Sequence, residues 1–265
     1  MTMDMQLANK RAFVSGSTQG IGYSIAKALL QEGVGVVING RDDIRVQQAV
    51  KNLEAAVPGG SVTGIAADFA DATQVQRLLA ALGGVDILVN NVGLFELKPF
   101  AEIQDEHWSR YFDVNVMSGV RLSRELLPGM IDAGWGRIIF VGSESGVNIP
   151  ADMTHYGVTK AAMLALSNGL AKLTRGTGVT VNTILGGPTY SDGVANTVRG
   201  IAEAQRLSTE DLKAAIIGGN QTSLLERFIE PDEIANLAVY LSSPLSSATN
   251  GAGVRADGGV LTTML

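Results

Sequence analysis

Ala12-Phe13-Val14-Ser15-Gly16-Ser17-Thr18-Gln19-Gly20-Ile21-Gly22, followed by Tyr23-Ser24-Ile25-Ala26-Lys27-Ala28-Leu29-Leu30, decides the fold. The first four residues form a short apolar run. It stops at a loop containing Gly16, Gly20 and Gly22, after which apolar residues recur at helical spacing up to Gly33. Strand, glycine loop and helix open a nucleotide-binding βαβ unit. The glycines permit a tight turn, and their bare backbone lets a pyrophosphate approach a helix N-terminus, whose unpaired N–H groups favour anions. By itself the stretch would also suit an ordinary glycine-rich turn. Val34-Gly35-Val36-Val37-Ile38-Asn39 decides between the two, because it supplies a second buried strand one crossover helix later.

The alternation continues to the end of the chain. A polar helix over Asp42 to Ala56 leads to a strand over Val62 to Ala67 that ends in Asp68. A helix over Thr73 to Leu82 precedes the strand Asp86 to Asn90, and a long helix around Glu106 to Ile131 precedes Gly136 to Val141. A helix carrying Tyr156 runs to about Thr174, ahead of a strand over Val179 to Leu185; a last helix, Pro231 to Leu241, precedes Gly253 to Ala256. This order predicts an α/β fold: a doubly wound, Rossmann-type, mostly parallel seven-stranded sheet with helices on both faces. Ligands bind outside the carboxyl ends of such strands. Gly16, Asp68, Asn90, Ser143 and Gly186 all fall at strand ends and point to one crevice. With no internal repeat or linker, residues 1–265 read as one domain.

Composition narrows the function. A chain of 265 residues, 46% hydrophobic, is ample for one well-buried domain. A net charge of −6 gives no electrostatic footprint for nucleic acid or an anionic membrane. No apolar run reaches ~18 residues, so no membrane span is expected. Met1 to Lys10 lacks a basic start followed by an apolar core, which leads to the expectation of a cytoplasmic protein. Without cysteine there is no disulfide or thiolate chemistry. His107 and His155 have no ligand spacing with acids, so no catalytic metal is expected.

The chemistry belongs to His155-Tyr156-Gly157-Val158-Thr159-Lys160. Tyr156 and Lys160 are four apart and share a helix face. A free phenol, with a pKa of roughly 10, is a poor acid or base at neutral pH. A cation ~4 Å away at an effective dielectric of ~20 is worth about 4 kcal/mol, which is a shift of roughly three units, toward the range where a general acid/base works. Ser143, at the end of the strand into Val141, could hold a carbonyl oxygen beside the phenol. The same pair also occurs by chance on solvated helices. Gly142-Ser143-Glu144-Ser145-Gly146 is no nucleophile elbow, because Glu144 holds the central position. His155 points about 100° away from Tyr156 around the helix and reads as a wall or packing residue. Glu96 and Glu144 are candidates for the mouth of a pocket for a cationic or polar substrate, against the plainer reading of solvated carboxylates.

From about Leu7 to Gly259 these residues resemble the short-chain dehydrogenase/reductase family. The loop from Ser15 to Gly22 is similar to that family's Thr-Gly-x-x-x-Gly-x-Gly, with Ser15 for the threonine. Asn90-Asn91-Val92-Gly93 is similar to its Asn-Asn-Ala-Gly, and Asp257-Gly258-Gly259 to its closing Asp-Gly-Gly. Asn115, Ser143, Tyr156 and Lys160 fall on its catalytic asparagine, serine, tyrosine and lysine. The resemblance implies hydride transfer between a nicotinamide and a carbonyl or carbinol carbon. Tyr156 would exchange the proton on oxygen, Ser143 would hydrogen-bond that oxygen, and Lys160 would hold the ribose and lower the tyrosine pKa. Asn115 would hold a water that links Lys160 to solvent, unless it is only a helix asparagine bonding the backbone. Gly16, Ser17, Thr18, Gln19, Gly20, Ile21, Gly22, Asp68, Phe69, Asn91 and Gly93 would contact the cofactor.

Two departures carry further expectations. The family's usual Pro-Gly stands as Gly186-Gly187, followed by Pro188-Thr189. Thr189 is therefore taken to bond the carboxamide in an open register. The connection from Pro188 to Glu230 is long, with an apolar and basic mix over Val194 to Leu207 and a polar tail through Gln221. A loop of this length reads as a lid, over about residues 188–222. Cofactor choice turns on Gly40, which stands where an NAD-selecting acid would be, and on Arg41, which would pair with a 2′-phosphate. Asp42 and Asp43 read as helix-start residues. The expected cofactor is NADP (NADPH), with NAD second, although Gln19 replaces a loop cation common in NADP users. Gly157, Ala161, Ala162, Ala165 and Gly169 would let another helix approach, and a homotetramer or homodimer follows from the resemblance. The leading reading is a ketone reductase or alcohol dehydrogenase acting on a small molecule. A 3-oxoacyl-thioester (acyl-carrier-protein) reductase is the variant, and a non-catalytic redox sensor the reading from another class.

Overall fold

In the computed structural model of the chain, residues 3–220 and 222–264 are described. Met1 and Thr2, at the start taken as lacking leader character, Gln221, the end of the expected polar tail, and Leu265 lie outside them. The strands are β1 (Arg11–Val14), β2 (Gly35–Gly40), β3 (Val62–Ala66), β4 (Ile87–Asn90), β5 (Trp135–Val141), β6 (Gly178–Gly186) and β7 (Gly253–Ala256). They form one seven-stranded Rossmann-like sheet in the order β3-β2-β1-β4-β5-β6-β7, and every pairing is parallel.

Buried parallel strands are apolar on both faces, with successive side chains pointing to opposite sides. The central strands follow that rule. Ala12, Val14, Ile87, Val89, Ile139 and Val141 enter one core, while Phe13, Leu88, Ile138 and Phe140 enter the other. The helices are α1 (Gly20–Gln31), α2 (Asp43–Ala56), α3 (Ala72–Leu82), α4 (Asp105–Tyr111), α5 (Met117–Asp132), α6 (Thr154–Leu173), α7 (Asp192–Gln205), α8 (Thr209–Gly219) and α9 (Pro231–Ser242). The first core takes Ile25 and Leu29 of α1, Val46 and Leu53 of α2, and Ile234 and Ala238 of α9. The second takes Leu78 of α3, Leu122 and Met130 of α5, and Met163 of α6.

The single long helix expected around Glu106 to Ile131 is instead α4, a π turn over Phe112–Val116, and α5. The wider turn buries Val114, Asn115 and Val116 together. The connection after β6 also differs from the expected loop, since it folds into α7 and α8. Val194, Val198, Ile201 and Ala202 recur at helical spacing, and Ser208 caps α8 by accepting from Asp211 N. Composition alone hides that periodicity. No helix among the described residues is long and apolar enough to cross a membrane.

The strand order reverses between β1 and β4, leaving a crevice at their carboxyl ends. The glycine loop after β1 and Asn91 to Gly93 after β4 form its walls.

Candidate active site

The cleft at the switch point has a volume of about 390 Å³. Its floor is joined by buried polar groups. Ser15 Oγ donates to Val89 O at 3.3 Å and accepts from Asn91 N at 2.9 Å and Val92 N at 3.1 Å. Asn91 Nδ2 donates to Ser15 O (2.9 Å) and Gly16 O (2.8 Å). Ser17 Oγ donates to Val14 O at 2.6 Å and accepts from Asn39 N at 3.0 Å, and Asn39 Nδ2 reaches Ile65 O at 2.9 Å. Four strand ends are thus locked to one another. Gly16 and Gly20 both have φ of +61°, which a side chain would strain. A Cβ on Gly22 would collide with the Asn91 amide and lie 2.6 Å from Gly16 O. The first turn of α1 has no acidic residue of its own and no side-chain N-cap, and its positive end already draws one anion, the Asp192 carboxylate, to Gly20 N.

Gly16, Thr18, Gln19, Gly20, Ile21, Gly22, Arg41, Asp68, Phe69, Asn91 and Gly93 line this cleft, as the sequence suggested. Ser17 does not line it, because its hydroxyl serves the floor. Gly40 is glycine for a steric reason: a Cβ there would stand 2.6 Å from Thr18 Cγ2. Asp42 is the N-cap of α2, accepting from Arg45 N at 2.9 Å. Arg45 and Arg110 also line the cleft, and sequence reading missed them. Arg45 was within reach, since it lies one helical turn beyond Arg41. Thr189, whose register the sequence left open, does not line the cleft. Its buried hydroxyl donates to Gly187 O at 2.9 Å, while Ser191 and Gly193 face the cleft. The parallel bridge between Thr189 and Ile229 fixes that register. The first residue of α7, Asp192, accepts from Gly20 N at 2.6 Å and ties the segment after β6 to the glycine loop.

Beyond Gly93 lie the four catalytic candidates. A Cβ on Gly93 would be 3.6 Å from both Asn115 Oδ1 and Lys160 Nζ. Tyr156 and Lys160 share one side of α6, with Phe95 edge-on to the Tyr156 ring at 6.5 Å. Lys160 is buried; Nζ donates to Val141 O at 2.8 Å and stands 5.6 Å from the Tyr156 ring centre. Burial pushes its pKa down to about 8, against a smaller opposing effect of Glu144. The phenol does not follow the expectation of a depressed pKa. Burial is the largest influence on Tyr156 and pushes it up, the Ser143 hydroxyl pulls it down, and the charge of Glu144 pushes it up again. The Lys160 ammonium is turned to a backbone carbonyl, and Glu144, when ionised, offsets it.

Asn115 is a clamp between loop and helix. Its Nδ2 donates to Leu94 O (3.0 Å) and Thr159 Oγ1 (2.9 Å), and its Oδ1 accepts from Leu94 N (2.7 Å). Both amide hydrogens are therefore committed to protein, which leaves a side-chain water relay with no donor. His155 is fully buried, 4.2 Å from the Tyr111 ring and 6.3 Å from the Trp108 ring between centres, and burial lowers its pKa. It is a packing residue. Ser143 donates to Glu144 Oε2 at 2.6 Å.

A family model described as short chain dehydrogenase matches residues 10–202. The chain belongs to the short-chain dehydrogenase family. It is 42% identical over 266 residues to an uncharacterized oxidoreductase of Bacillus subtilis, covering 99% of this chain and 100% of that one. It is 34% identical to a D-beta-hydroxybutyrate dehydrogenase of Cupriavidus necator, over 96% of this chain and 98% of that one. Among solved structures, the L-sorbose reductase from Gluconobacter frateurii, complexed with NADPH and L-sorbose, superposes with a TM-score of 0.93 at 32% identity, over 99% and 100% of the two chains. The protein is thus an oxidoreductase of this family, related to enzymes that act on hydroxyl and carbonyl groups of small molecules.

Proposed function

We propose that this short-chain dehydrogenase is an NADP(H)-preferring ketone reductase or alcohol dehydrogenase. The observation that carries the reading is a cleft lined by Arg41, Arg45, the glycine loop, Gly93 and Phe95, with Lys160 behind Gly93 and the Tyr156 ring edge-on to Phe95. The residues fit a dinucleotide: a turn with Gly16 and Gly20 at positive φ, a Gly22 packed against Asn91 and Gly16, an α1 first turn with no acid of its own, and a cationic end without an acid at position 40. A bound nicotinamide would supply or accept the hydride. Tyr156 exchanges the proton on the substrate oxygen, Ser143 hydrogen-bonds that oxygen, and Lys160 holds the ribose and keeps a positive charge near the phenol. Asn115 positions α6 against the loop after β4. Small-molecule relatives, one of them complexed with NADPH, support the reading. The acyl-carrier variant has less support, because Lys213 in the segment after β6 is engaged by Glu210 at 3.3 Å and the Tyr190 ring at 4.3 Å. A redox sensor would have no use for the full set Asn115, Ser143, Tyr156 and Lys160.

A charge-assisted hydrogen bond is worth ~1.5–3 kcal/mol, so Arg41 alone can set cofactor preference. Oxidation of NADPH and NADH at 340 nm over a panel of ketones, β-ketoesters, diketones and aldehydes tests this. We expect NADPH to be favoured at least ~10-fold in kcat/KM, with the ratio collapsing in Arg41→Ala; equal use by the parent would refute the preference. The paired helices α7 and α8 act as the substrate lid, latched by Asp192. A cytoplasmic homotetramer, or failing that a homodimer, completes the proposal. Gly157 is already covered by Ile149 and Ser145 within the chain, but Ala165 and Gly169 remain exposed for a partner helix. Light scattering that gave a monomer of 27.7 kDa would refute assembly.

A further inference from the structure

Ser143 poses a donor problem. A serine hydroxyl has one hydrogen and two lone pairs. Its hydrogen points to Glu144 Oε2 at 2.6 Å, and one lone pair accepts from Ser145 N at 3.1 Å. So arranged, Ser143 has no hydrogen for a substrate carbonyl oxygen. The arrangement is rigid. The Glu144 carboxyl is held at its other oxygen by Ser145 Oγ at 3.2 Å, and Ser143 and Ser145 are buried. The 3-10 turn Glu144–Gly146 lies against α6 so closely that a Cβ on Gly146 would be 2.9 Å from the Lys160 carbonyl carbon. A distance of 2.6 Å suits a carboxylate accepting from Ser143, and equally a carboxylic acid donating to it.

We propose that Glu144 is a positioning residue that works as the neutral acid, donating its proton to Ser143 Oγ and so releasing the Ser143 hydrogen toward the substrate oxygen. This rests on the carbonyl-reductase reading above. The same hydrogen bond reverses direction when the carboxyl ionises, so the protonation state of Glu144 gates the Ser143 hydrogen bond to the oxygen as charge develops on it during reduction. No bond to substrate forms or breaks at Glu144, and its proton stays between the two side chains. The titratable groups facing it are Tyr156 and Lys160 of α6, with Tyr111 beyond Tyr156. Burial pushes the Glu144 carboxyl above its ordinary value, while Ser143 and Ser145 pull it partly back.

The test compares Glu144→Gln and Glu144→Leu with the parent, using NADPH and the fastest ketone of the panel. The amide of Gln can donate to Ser143 at every pH; Leu cannot. We expect kcat for reduction by the parent to fall as pH rises through the Glu144 midpoint. In Glu144→Leu kcat falls at least ~10-fold with KM changed less than ~3-fold, and Glu144→Gln recovers most of that loss without the pH-dependent fall. Retention of the parent's pH profile in Glu144→Gln would overturn the proposal, as would full activity in Glu144→Leu. A second arm needs no substrate. In protein labelled with ¹³C at Glu carboxyls, the signal missing from Glu144→Gln should titrate above the ordinary ~4.3 and move higher still in Ser143→Ala. An ordinary midpoint unmoved by Ser143→Ala would also overturn it. Absence of turnover by the parent on every ketone would count against the reductase reading, while the labelled titration still decides Glu144.

Discussion

The crevice has two floors side by side, and they are built in opposite ways. Under the glycine loop, Ser15, Ser17, Asn39 and Asn91 are linked into strand ends, and the surface they support needs no charge of its own. Under Tyr156, the polar groups are buried at odds with their surroundings. A lysine is held toward its neutral form, a phenol is made harder to ionise, and a carboxyl is pushed toward its acid. The first floor is held by neutral hydrogen bonds, and the second by ionisable groups whose protonation burial shifts. The segment proposed as a lid adds to the second kind: among the described residues the small core between α7 and α8 is built on Val198, Ala202 and Leu212, and a cavity of 640 Å³ separates α8 from Phe228 and Glu230. Perturbed groups of this kind cluster where chemistry is done.

If the contrast is real, changes on the two sides should fail differently. Lys160→Met should lower turnover at least ~10²-fold while relieving a buried charge. The sign follows from the depressed pKa. Between about 8 in the folded chain and the ordinary ~10.4, the unfolded state binds more protons, so the contribution of Lys160 to stability grows as pH rises. The melting temperature of the parent should therefore gain on that of Lys160→Met from pH 8 to 10. A difference independent of pH would contradict the buried, depressed lysine. On the other floor, Gly22→Ala should cost stability at every pH by roughly 1–3 kcal/mol, the range for overpacking. By displacing Asn91 it should also weaken NADPH binding about 10-fold in a fluorescence titration; unchanged affinity would show that the cradle tolerates the extra methyl. The smallest effect is expected in the lid. Amides of α7 and α8 should exchange faster than those of α1 in the protein alone and slow several-fold with NADPH and ketone bound. Equal protection in both states would remove the lid.

The half under the glycine loop was legible in the sequence because its requirements are local. A tight turn needs Gly16 and Gly20, a close approach needs Gly22, and strands need alternating apolar residues, all within one βαβ unit. Gly40, Arg41 and the capping role of Asp42 could be counted from the loop for the same reason. The other half depends on contacts distant in sequence, and there the reading strayed. The spacing of Tyr156 and Lys160 gave their shared face correctly, but not that Nζ would turn to Val141 O, nineteen residues away. The register at Thr189 stayed open because it depends on pairing with Ile229. The π turn that seats Asn115 leaves no mark in hydrophobic periodicity, and helices α7 and α8 were hidden by a composition that mixes apolar and basic residues.

The measurement closest to the main claim is Tyr156→Phe, read in two ways on the same protein. The phenol hydroxyl is the only group lost, on a ring already held by Phe95. We expect NADPH affinity to stay within about twofold and ketone reduction to fall at least ~10²-fold, as for loss of a positioned acid. Turnover within threefold of the parent would contradict Tyr156 as the proton donor, and with it the chemistry assigned to this crevice.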